Sequence, residues 1–160
     1  MEKCLCGSSK TVDNCCQNIV TGQKKALTAQ ELMRSRYYAY ATQNIDYIMK
    51  THHPDTVESV SRDVLYDWSR YSKWIALEII STENGLETNE LGIVEFKAIY
   101  EVNGLTHTHH EKSKFIKKDG TWFYHSALPF DLTIKNIVKV NRNSECICGS
   151  GKKYKKCCGK

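Results

Sequence analysis

Apolar residues recur at helical spacing in the first half of the chain and alternate in the second. Leu32, Met33, Tyr37 and Tyr40 fall on one face of the segment from Ala29 to Ala41, the recurrence expected of an amphipathic helix with that face on the core. Thr28 followed by Glu31 has the form of a capping box and sets its start. Arg34 and Arg36 lie on other faces, and Arg36 is expected in solvent unless it meets an acid or a ligand. A second short helix is predicted from Ile45 to Met49. Pro54 then interrupts the chain, and Ser61 caps a third helix running toward Tyr71.

The character changes at Trp74. Residues Trp74 to Ile80 are rich in β-formers, and Glu83-Asn84-Gly85 reads as a turn. From Leu91 to Val102 one side carries Val94, Phe96, Ala98, Tyr100 and Val102, the other Ile93, Glu95, Lys97, Ile99 and Glu101. Asn103-Gly104 and Asp119-Gly120 both tolerate positive φ and mark hairpins, giving return strands from Leu105 to Lys117 and from Thr121 to Leu128. Helices first and a meandering antiparallel sheet after them make an α+β domain. The three helices are the available cover for its apolar face.

The cysteines add a second layer. Cys4, Cys6, Cys15 and Cys16 form C-x-C-x8-C-C, and Cys146, Cys148, Cys157 and Cys158 repeat it. These two quartets hold all 8 cysteines of the chain. Four thiolates close together fill a tetrahedral shell around one soft divalent ion, and zinc is the expected metal, one per quartet. Such a shell leaves no open position, so each site is expected to be structural. A disulfide framework is the competing reading. The clustering, the cysteine-free middle and the lack of an apolar leader in the first twenty residues all oppose it. A cytoplasmic setting with reduced thiols follows as the expectation. The expected organisation is a knuckle over 1–22, a middle domain over 26–135 and a second knuckle over 142–160.

Charge separates the two knuckles. The formal charge of +5 is concentrated in residues 131–160, which carry +6 against −1 for the rest. Eight thiolates offset by two divalent ions would take four units from the +5, leaving +1, so the headline value overstates any general attraction to nucleic acid. Lys152, Lys153, Lys155 and Lys156 still form a dense basic patch running on toward Lys160, suited to a protein or nucleic-acid partner. Tyr154 stands among them, placed equally to stack on a base or to pack against its own knuckle. Phosphate contacts by such a patch are salt-dependent and carry no base selectivity. The first knuckle lacks the lysine run and has Ser9 in place of the second glycine, so it is expected beside the middle domain or on a protein surface.

The C-terminal segment resembles the SEC-C motif, a cysteine-rich tail of the bacterial SecA translocation ATPase and of many otherwise unrelated proteins. Two knuckles around a middle domain, with Leu32-Met33-Arg34-Ser35-Arg36-Tyr37-Tyr38-Ala39-Tyr40, Thr51-His52-His53-Pro54, His110-Glu111-Lys112-Ser113-Lys114-Phe115 and Gly120-Thr121-Trp122-Phe123-Tyr124, are similar to the YchJ-like UPF0225 family. The resemblance implies an NTF2-like, cystatin-like cone of curved sheet wrapped over helices, with the eight cysteines as metal ligands. It carries no settled activity. Two functions are therefore expected. One is a zinc-binding interaction or adaptor protein docking through Lys152–Lys160. The other is a small-molecule enzyme (isomerase-, dehydratase- or hydrolase-like) whose cone places His110, Glu111, Trp68 or Trp122 around a substrate. His107, His109 and Glu111 share one face of their strand and His110 takes the other, while His52-His53 is read as loop or pocket rim.

Overall fold

The computed structural model describes residues 2–134, 143, 145 and 150–157. Four helices precede four strands: α1 (Cys16–Val20), α2 (Ala29–Ala41), α3 (Ile45–Lys50) and α4 (Arg62–Tyr71), then β1 (Lys73–Asn84), β2 (Leu91–Val102), β3 (Leu105–Lys118) and β4 (Thr121–Leu128). Each of the three longer helices starts on a side-chain cap. Thr28 Oγ1 accepts from the Glu31 amide at 3.1 Å, Asn44 from Tyr47 at 3.1 Å and Ser61 from Val64 at 3.4 Å. Glu31 reaches back to accept from the Leu27 amide at 2.8 Å, so the predicted box closes one residue earlier than its usual form.

The sheet is an antiparallel meander in the order β1-β2-β3-β4. Asn103 and Gly104 at φ 51° and 78°, and Asp119 and Gly120 at 50° and 73°, supply the left-handed turns that close the last two hairpins. The first hairpin is longer and folds against α2. A Cβ on Gly92 would sit 2.5 Å from the Gly85 Cα and 3.0 Å from the Ala29 Cβ, so only glycine admits this approach. β1 runs four residues past the predicted Ile80. Register shifts at Trp74/Ala76 and Ile79/Ser81, and another at Lys114/Phe115, interrupt the ladders and curve the strands.

The main core joins Leu32, Met33 and Tyr37 of α2 to Leu77, Val94, Phe96, Ala98, Phe115 and Trp122 of the sheet. Cys4, Cys6 and Cys16 are buried in that same cluster. The segment expected as a knuckle over 1–22 therefore shares its packing with the middle domain. A satellite cluster of Ala39, Ile45 and Ile48 holds α3 to α2. Ser69 Oγ donates to the Tyr40 carbonyl at 2.6 Å and ties α4 across them. No helix among the described residues is long and apolar enough to cross a membrane.

Candidate metal centre

The first quartet is gathered by a tight fold of the first sixteen residues. The Cys4 amide donates to the Lys10 carbonyl at 2.9 Å, an isolated bridge pairs Lys3 with Thr11, and a 3-10 turn over Val12–Asn14 presents Cys15 and Cys16. All four sulfurs lie within 4.8 Å of one another. Cys15 Sγ stands 3.6 Å from Cys6 Sγ and 3.7 Å from Cys16 Sγ. Zinc–sulfur bonds of about 2.3 Å in a tetrahedron put the sulfurs roughly 3.8 Å apart. The residues present fit such an ion.

The thiols polarise one another. Hydrogen bonding from Cys16, joined by Ser8, Cys4 and Cys15, outweighs burial and pulls the Cys6 thiol down to about 4. Its charge then works against the rest. The hydrogen bond to Cys6 and burial push Cys16 well up, and burial pushes Cys4 up to about 11. A divalent cation bound there would displace the remaining protons and offset the repulsion between the thiolates.

α2 and β1 hold the knuckle in place. Arg34 Nη1 donates to the Cys6 carbonyl, a bond spanning twenty-eight residues. Gly7, at φ 74°, brings its backbone close enough that a Cβ would stand 3.2 Å from the Leu77 carbonyl oxygen of β1.

Of the second quartet, Cys146, Cys148 and Cys158 lie outside the described residues, and Cys157 lies within them. The described part repeats the first knuckle 142 residues on. A bridge pairs Glu145 with Lys153 as Lys3 pairs with Thr11, and a 3-10 turn over Tyr154–Lys156 matches Val12–Asn14. Ser150 Oγ donates to Cys157 Sγ at 3.2 Å where Ser8 Oγ meets Cys15 Sγ at 3.0 Å. The cysteine spacing did not single out this serine contact, although the serine's recurrence at the same offset marks it. Lys152, Lys153, Lys155 and Lys156 are exposed and Tyr154 is half-buried. The equivalent positions of the first knuckle are Lys10, Thr11, Asp13 and Asn14.

The middle domain carries a cavity of about 260 Å³, open to solvent, between α2, α4 and the sheet. Of the four residues expected there, Glu111 and Trp68 line it. His110 does not: strand alternation turns it to the opposite face, where Nε2 pairs with Glu95 at 2.9 Å. Trp122 does not either, because it is sealed in the core with Nε1 donating to the Leu27 carbonyl at 3.0 Å. His109 takes the place expected of His110, its Nε2 2.9 Å from Glu111 Oε2. His107 stacks on Tyr100 away from the cavity lining. Burial opposes the charge on Glu111, but donors from His109, Ser113 and Tyr124 hold its carboxyl below the usual carboxylate range.

Arg36 overturns the expectation of a solvated arginine. It is 5% exposed, its guanidinium lies 4.8 Å from the Tyr124 ring centre, and Nη1 donates to Ile48 O and Thr51 Oγ1, each at 2.7 Å. Burial is the main influence lowering its pKa. His52 lines the same cavity, and burial, then the Arg36 charge, pull its pKa down to about 4, so the imidazole is neutral near pH 7. His53, by contrast, is buried beside His125 and Phe123 outside it.

Comparison with known proteins agrees with this architecture. Residues 28–127 match the profile described as the YchJ middle NTF2-like domain, and residues 142–160 match the SEC-C motif. A UPF0225 protein of Geobacter sulfurreducens is 44% identical over 156 residues, covering 98% of this chain and 97% of that one. A UPF0225 protein of Vibrio cholerae is 39% identical, covering 98% and 99%. Among solved structures, a SEC-C motif containing protein from Rhodopseudomonas palustris superposes with a TM-score of 0.73 at 34% identity, over 80% of this chain and 98% of that one. Another from Psychrobacter arcticus gives 0.71 at 28% identity, over 99% and 96%.

Proposed function

The chain belongs to the YchJ-like UPF0225 family, and on that footing we propose that it is a zinc-binding interaction protein of the cytoplasm. One ion fastens the N-terminal knuckle to the NTF2-like core, and a second shapes a C-terminal knuckle whose lysines dock on an acidic protein or nucleic-acid surface. Four thiolates make a closed, soft shell that favours zinc and leaves no position for substrate. The observation that carries the docking half is the repeated frame. The same bridge, 3-10 turn and serine–cysteine contact occur at both ends, yet only the second copy carries four exposed lysines on it. Shape is shared, so charge is what distinguishes their roles.

Retention of the zinc-loaded protein on a heparin column tests this. Reversing Lys152, Lys153, Lys155 and Lys156 to Glu is expected to lower the eluting salt sharply. Reversing Lys3, Lys10, Lys24 and Lys25 around the first knuckle is expected to change it little. Equal effects from the two sets would rule out a dedicated C-terminal surface. A second reading, a small-molecule enzyme of the NTF2-like class, draws support from the cavity, because a cone packed solid with apolar side chains would have removed it.

A further inference from the structure

Buried charges in folded proteins are paired, and Arg36 has no direct ion pair: the Glu111 carboxylate, beyond Tyr124, supports its charge only at a distance. It forms no salt bridge among the described residues, and both of its hydrogen bonds there leave from Nη1. The Nε and Nη2 donors have no protein acceptor there, although the side chain lines the cavity. Those two nitrogens form the edge of a guanidinium that grips a carboxylate in bidentate fashion. The ring nitrogens of His52, on the same cavity, are likewise without a hydrogen-bond partner among the described residues.

The remaining walls specify the rest of a ligand. Tyr40, Trp68 and Trp74 form a ring cluster with centroids 5.2 to 5.4 Å apart, and Phe96 and Leu65 extend its apolar surface. About 260 Å³ is room for a small organic molecule. Glu111, already supplied with three donors, adds a fixed negative charge that disfavours a dianion. One cation, one satisfied anion and an aromatic body of this size suit a singly charged, flat molecule.

We propose that this cavity binds a small organic acid, its carboxylate on the Nε–Nη2 edge of Arg36 and its flat apolar body against Tyr40, Trp68 and Trp74. The site uses none of the cysteines or the C-terminal lysines, so it stands or falls apart from metal binding and docking.

Benzoate is the probe, with benzamide as its neutral match in shape. Titration of the full-length, zinc-loaded protein is followed by tryptophan fluorescence, since Trp68 and Trp74 line the cavity. Saturable quenching by benzoate is expected, with benzamide at least about tenfold weaker. Arg36→Met is expected to abolish the response to benzoate. Because Arg36 also caps the end of α3, Val60→Phe supplies a second variant that fills the cavity and leaves the guanidinium in place, and it too is expected to abolish binding. Equal binding of benzoate and benzamide would overturn the proposal. So would binding that survives Val60→Phe, or no response to benzoate or phenylacetate up to about 10 mM.

Discussion

Ser9 sits at φ 65°, and the residue at the same place in the second knuckle is Gly151 at φ 69°. A side chain in the left-handed region is strained where glycine is not. Ser9→Gly is therefore expected to stabilise the first knuckle by about 0.5–1 kcal/mol, read as a higher melting temperature of the zinc-loaded protein. An unchanged or lower value would mean that Ser9 is held by contacts that offset its strain. Residues of this kind were legible beforehand because they act through local spacing: the cysteine quartets, Thr28 as a cap, Asn103-Gly104 and Asp119-Gly120 as turns. Arg36 was not. Its burial depends on Ile48, Thr51 and Tyr124 meeting it across the fold, which helical periodicity does not encode. The choice of His109 over His110 turned on strand parity. The face was readable, but which face the helices cover was not.

Among the elements, α2 organises the molecule. One face supplies Leu32, Met33 and Tyr37 to the core, Arg36 reaches the cavity, and Arg34 reaches the Cys6 carbonyl. Arg34→Ala removes a charge-assisted bond between distant segments and is expected to cost about 1.5 kcal/mol. Hydrogen exchange should localise the loss to the first knuckle, while α3 and the β3–β4 hairpin keep their protection. Uniform loss across the sheet would place Arg34 in the global core instead. The extent of β1 shows where sequence pattern gave out. Ser81, Thr82 and Glu83 are polar and mostly exposed, so the apolar signal stops at Ile80. Pairing with Glu95, Val94 and Ile93 of β2 nevertheless carries the strand on to Asn84. Partner-strand hydrogen bonds fixed that end, and they are invisible to a single segment's hydropathy.

At the scale of the whole molecule, the α+β class and the order of its elements followed from a switch between two periodicities, and the cone from the resemblance to the family. The union of the first knuckle with the core was one of two placements that its missing lysine run left open; cysteine spacing alone says nothing about what buries thirteen residues, and the packing of Cys4, Cys6 and Cys16 in the core decides between them. On that union rests the central proposal: that metal at Cys4, Cys6, Cys15 and Cys16 completes the wall formed by α2 and β1. Native mass spectrometry of protein purified under reducing conditions tests it most directly, run beside a thermal melt. Two zinc ions per chain are expected, one in the double variant Cys6→Ser, Cys16→Ser, with a clear fall in melting temperature of that variant. Finding no metal, and a melt unaffected by chelation or by those substitutions, would contradict the account.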